Sequence, residues 1–87
     1  MTKKSFHYMV TDEAGLHARP ASDLSRFAKT LTSKVTLVKG DKRVDAKSVL
    51  MIMAAGVSQG TTVTLEVSGD NAEREAADLE EFCKQSL

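Results

Sequence analysis

Gly15-Leu16-His17-Ala18-Arg19-Pro20-Ala21 is the stretch on which the reading of this chain turns. Proline lacks an N–H and holds φ near the helical value, so Pro20 suits the first turn of a helix and not its interior. From there Ala21, Leu24, Ala28 and Leu31 recur at helical spacing, with Phe27 beside them. The helix therefore starts near Ala18, and His17 falls at its N-cap or just before it. Gly15 lets the incoming loop, residues 11–15, turn without a Cβ penalty. Upstream of that loop, Phe6, Tyr8 and Val10 alternate with Ser5, His7 and Met9, the pattern of a strand with one core face.

The same reading extends downstream. Val35 and Leu37 mark a second strand and Val44 a short third one, with Gly40-Asp41 as the hairpin turn between them. Ser48 is an acceptable N-cap and Gly56 an acceptable residue past the C-cap, so the apolar run over residues 49–55 reads as a short helix. Val63, Leu65 and Val67 alternate with Thr62, Thr64 and Glu66 as a fourth strand. Gly69-Asp70-Asn71 opens a last helix, where Asp70 and Glu73 have the spacing of a capping box and Ala72, Ala76, Leu79, Phe82 and Cys83 form the apolar stripe. The order β-α-β-β-α-β-α over residues 1–87 predicts one α+β domain. It is a two-layer, open-faced sandwich with three helices over one face of a four-stranded antiparallel sheet.

Composition removes several classes of function. The 87 residues are 41% hydrophobic and 28% charged, an ordinary globular balance. Twelve basic and twelve acidic side chains cancel, so global attraction to nucleic acid or to an anionic membrane is absent. No apolar run approaches the ~20 residues that span a bilayer. The first residues are basic but lack the apolar stretch of a signal peptide. Cys83 stands alone, which excludes an internal disulfide and fits a reducing cytoplasm. His7, His17 and Cys83 match no zinc spacing, and no metal or cofactor is expected. Small size and neutral charge make a monomer the default.

The chemistry gathers at His17. A helix start presents N–H groups without acceptors and the positive end of the helix dipole, a ready anion site. An imidazole there is disfavoured as a cation, which leaves a ring nitrogen free to act as a nucleophile. Once phosphorylated, the same position becomes favourable, by about 0.3–1 kcal/mol for each dipole interaction at an exposed site. That hold is weak enough for a group that must be released. Arg19 can add a fork of donors to phosphoryl oxygens, and Pro20 limits how far the backbone relaxes. On spacing alone, a histidine that merely caps the helix and a solvated Arg19 account for these residues as well.

The heptapeptide Gly-Leu-His-Ala-Arg-Pro-Ala resembles the phosphorylation-site motif of HPr, the small phosphocarrier family of the bacterial sugar phosphotransferase system. Lys47-Ser48-Val49-Leu50 resembles that family's regulatory serine segment, and Gly60-Thr61 before a Val/Thr/Leu strand matches too. The resemblance spans nearly the whole chain. It implies that His17 takes a phosphoryl group from phosphorylated enzyme I, charged by phosphoenolpyruvate, and passes it to the A domain of a sugar-specific enzyme II. It also implies that Nδ1 is modified, that Arg19 assists, and that the chain is a reaction intermediate and not a turnover catalyst.

Ser48 has a physical logic of its own, since phosphate at a helix start gains from the dipole while the nearby Asp45 opposes it. Its plain alternative is a cap. In Gram-positive members of the resembled family an ATP-dependent kinase modifies this position, and the product serves as corepressor of a LacI-type catabolite regulator. Val49, Leu50, Met51, Ile52 and Met53 are apolar all round, more than one short helix over a sheet can bury. Leu50 and Met51 are therefore docking candidates, with Val49 beside them. Met51 departs from relatives that have Gly or Lys there. Ala18, Pro20, Arg26 and Lys29 complete the expected partner surface, with ordinary solvated charge the alternative for the last two. His7 reads as solvated and Cys83 as core. The rival function is an HPr-like adaptor that works through Ser48 and protein binding alone, and its difficulty is that such a protein has no need of His17.

Overall fold

The computed structural model describes residues 2–87. Its elements are β1 (Thr2–Met9), α1 (Ala18–Lys29), β2 (Lys34–Lys39), β3 (Lys42–Asp45), α2 (Val49–Ala54), β4 (Thr62–Gly69) and α3 (Ala72–Ser86). The four strands form one sheet in the order β1-β4-β2-β3, every neighbouring pair antiparallel. Three helices cover one face, as the element order required.

Register explains which face. Phe6 pairs with Leu65, Leu65 with Leu37 and Leu37 with Val44, so one apolar row crosses all four strands. Because side chains alternate, the neighbouring row Ser5, Glu66, Thr36 and Asp45 points the other way. There Lys3 and Arg43 flank Glu66 on the open face. The core between helices and sheet holds Leu24, Ile52 and Leu79 from the three helices with Leu16, Leu37 and Leu65, each with at most 2% of its surface exposed. Val10 lies just past the end of β1 yet is 1% exposed, its N–H bonded to the Thr61 carbonyl.

The short connections follow their residues. Gly40, with φ +58°, forms the two-residue turn between β2 and β3. Ser48 caps α2 by accepting the Met51 N–H, and Gly56, with φ +67°, follows its end. There the Lys39 ammonium donates to the carbonyls of Ala55 and Gly56. The Phe27 and Phe82 rings stack at 4.6 Å to join α1 to α3. Burial, with the nearby Glu80 carboxylate, pushes the Cys83 thiol up to about 12. Among the described residues no helix is long and apolar enough to cross a membrane.

The start of α3 corrects the expected capping box. Asn71, not Asp70, is the N-cap, and its side chain makes no capping bond. Its backbone, φ −107° and ψ 20°, lies outside the extended region from which a cap reaches the first amides. Instead Asn71 Nδ2 donates to Thr32 Oγ1. Glu75, in the first turn of α3, is 3% exposed and faces the α1–β2 loop, where it accepts the N–H groups of Thr32 and Ser33, each at 2.9 Å.

Candidate functional site

His17 is the N-cap of α1, with extended backbone angles φ −89° and ψ −159°. Its carbonyl accepts the Ala21 N–H at 2.8 Å, the first bond of the helix. Its ring makes no capping bond and is exposed. The next N–H groups, on Ala18 and Arg19, have no acceptor within the helix, and Pro20 has none to offer. No acidic residue stands in the first turn to occupy that positive end. An exposed, uncommitted imidazole thus stands beside open donors, the arrangement in which a transferred anion finds partners.

The connection between α2 and β4 and the C-terminal residue pin the loop that delivers His17. Gly60 N–H donates to the Val10 carbonyl, and the N–H groups of Thr11 and Asp12 both donate to Leu87 O, as does the Thr11 hydroxyl. Asp12 in turn accepts Gly15 N–H on its carbonyl and Ala14 N–H on Oδ1. Leu16 N–H reaches the Val57 carbonyl at 2.9 Å while its side chain enters the core. At Gly15 φ is +65°, and a Cβ there would collide with the Val57 carbonyl and lie 2.8 Å from Ser58 Cα. Gly15→Ala is therefore expected to cost about 2–3 kcal/mol in denaturant unfolding. Gly60→Ala should cost about 1 kcal/mol: it has the same backbone penalty (φ +87°) but nothing within 4 Å.

The other expected site residues divide. Ala18, Arg19, Arg26 and Lys29 are exposed. Arg19 and Arg26, seven apart, share one line of the helix. Pro20 is buried, which corrects its place among the docking residues; it packs inward with Ala21 and Leu24 and orients the first turn. Leu50 is 79% and Met51 45% exposed, while Val49 packs partly against the core. Met9, which the sequence did not single out for docking, is also exposed.

Contacts at both its ends set the direction of α2 against α1. At its start, Ser25 Oγ donates to the Lys47 carbonyl at 2.8 Å and Lys47 Nζ to the Leu31 carbonyl at 3.2 Å. Beyond its end, Val57 holds Leu16 beside His17. The helices therefore run antiparallel, and Ser48 lies by the second half of α1. At 1.5 Å per residue, Ser25 is about 12 Å along the axis from His17.

This arrangement has counterparts among known proteins. A family model described as the PTS HPr component phosphorylation site matches residues 4–85. The chain is 36% identical over 69 residues to the phosphocarrier protein HPr of Mycoplasma capricolum, covering 79% of this chain and 78% of that one. It is similar to the crystal structure of HPr from Thermoanaerobacter tengcongensis, with a TM-score of 0.89, 35% identity and 95% and 93% of the two chains covered. It is also similar to Crh, the Bacillus subtilis catabolite repression protein, which forms a swapped dimer. There the TM-score is 0.75 at 35% identity, with 92% of each chain covered. With the open-faced sandwich and a family match over nearly its whole length, the chain belongs to the HPr phosphocarrier family of the phosphotransferase system.

Proposed function

We propose that His17 is the phosphoryl acceptor, charged by phosphorylated enzyme I and discharged to the A domain of a sugar-specific enzyme II. The observation that carries this reading is the exposed imidazole at a helix start with no capping bond and no carboxylate in the first turn. A ring nitrogen lone pair, at Nδ1 as in the family, attacks phosphorus. The new N–P bond forms as the bond to the donor breaks, and that electron pair leaves with the donor. Discharge reverses the roles, so the chain ends each cycle unchanged in its own atoms and is a carrier and not a turnover catalyst. The N–H groups of Ala18 and Arg19 and the Arg19 guanidinium supply donors to the phosphoryl oxygens. Incubation with enzyme I and radiolabelled phosphoenolpyruvate is expected to give acid-labile label that an enzyme IIA domain removes. An unlabelled protein beside an active, cognate enzyme I would sink the proposal.

Ser48 carries a second, regulatory reading. It is half-buried at the start of α2, and the likeness to Crh, whose name ties it to catabolite repression, supports modification there by an ATP-dependent kinase and use by a LacI-type regulator. About 12 Å of helix separates Ser25, beside Ser48, from His17, more than the Debye length of about 8 Å at physiological salt. A phosphate on Ser48 therefore acts mainly on docking and little on the imidazole itself. Leu50 sits on that docking face. Leu50→Glu is expected to raise the KM for transfer about tenfold, with unfolding free energy changed by no more than about 0.5 kcal/mol.

A further inference from the structure

Asp23 is the one carboxylate on α1, and the function proposed above leaves it unused. It follows Arg19 by four residues and precedes Arg26 by three, the two spacings at which helix side chains meet. Its Oδ1 stands 3.6 Å from Arg26 Nη1. Asp23 also lines a surface cleft with Asp12, Ala14, Arg19, Pro20 and Ser86. Arg19 thus shares that cleft with two acids. Asp12 is already engaged, accepting the Ala14 N–H on its Oδ1. The Asp23–Arg26 pair is solvent-accessible, 77% on the arginine side and 35% on the aspartate side, and exchanges at little cost. Among the described residues Arg19 has no ion-pair partner within 4.0 Å.

We propose that Asp23 is a positioning residue that competes with the phosphoryl group for the Arg19 guanidinium. This rests on His17 being the acceptor and adds what sets the strength of its hold. With His17 bare, Asp23 pairs with Arg26 and its carboxylate exchanges onto the unpaired Arg19 guanidinium one helical turn away across the cleft, the state that competes with the phosphoryl group. With His17 phosphorylated, the guanidinium swings to the more strongly charged oxygens and Asp23 keeps only Arg26. The carrier therefore binds its cargo less tightly than Arg19 alone would allow, which favours onward transfer.

The test is the equilibrium constant for phosphoryl exchange between enzyme I and the carrier, measured on parent, Asp23→Asn, Asp23→Glu, Arg19→Gln and the Asp23→Asn/Arg19→Gln pair. A helix ion pair at this spacing predicts about a twofold gain in phosphorylated carrier for Asp23→Asn. Asp23→Glu should stay at the parental value. In the Arg19→Gln background the Asp23→Asn effect should vanish, and in 1 M salt it should shrink. An unchanged equilibrium in Asp23→Asn, or the same change with and without Arg19, overturns the proposal. A parent that takes no label at all removes the carrier reading itself, and the role of Asp23 with it.

Discussion

His17→Ala is expected to abolish phosphoryl acceptance while moving the unfolding midpoint by no more than about 3 °C. The two effects separate because of how the residue is seated. An N-cap side chain normally contributes about 1 kcal/mol by accepting an N–H of the first turn, but the His17 ring accepts none and is exposed. What fixes the helix start is main chain, the His17 carbonyl bonded to Ala21 N–H, and that survives the substitution. The nucleophile does not. His7, the other histidine, cannot stand in. It lies on the open face of the sheet with Nδ1 2.8 Å from Thr64 Oγ1, and no helix start adjoins it on β1. Labelling by enzyme I and a thermal melt of the same sample check both halves. A variant that lost its label only because it had unfolded would contradict this account.

Glu75→Gln is expected to lower stability by about 2–3 kcal/mol at pH 7, or about 10–20 °C in midpoint for a domain of this size. The carboxylate is 3% exposed, and burial alone would push its pKa up. Donation from the Ser33 hydroxyl, the Thr32 and Ser33 N–H groups and the Thr32 hydroxyl outweighs burial and holds it at about 2. Arg74, 3.9 Å away and largely exposed, adds little. The folded value lies below the unfolded one, so the ionised group stabilises the fold. That contribution is complete above the ordinary carboxylate pKa of about 4.3 and is lost as pH falls from there toward about 2. Denaturant unfolding of the parent should weaken steeply across that window, and the Gln variant should lose this part of the slope. Equal pH dependence in both proteins would contradict the assignment.

What could be read from sequence and what could not divide along the range of the interactions. Pro20 and the 3.6-residue apolar stripe after it announce α1 because both act within one helix, and Ser48 and Gly56 bound α2 by equally local geometry. The alternation of Val63, Leu65 and Val67 marks β4 because one of its faces is covered. Glu75 is silent in sequence because its partners, Thr32 and Ser33, lie more than forty residues away, |i−j| of 42 and 43, and an acidic residue on an amphipathic helix reads as solvated. The Asp70–Glu73 spacing misled because a motif gives side-chain identity but not the backbone angles that aim a cap, and Asn71 turns to Thr32 instead. Pro20 was legible as the marker of a helix start, yet its burial depends on tertiary packing, which no local pattern announces. The exposure of Leu50 and Met51 followed from counting, since an all-apolar helix of six residues cannot bury every side of itself.

The most direct test of the central claim is to locate the phosphate. The protein charged by enzyme I, digested under alkaline conditions that preserve phosphohistidine, should carry its phosphate on the peptide containing His17, with His7 unmodified. Phosphate on the His7 peptide, or none on either with an active, cognate enzyme I, would contradict the assignment of the helix-start imidazole as the carrier.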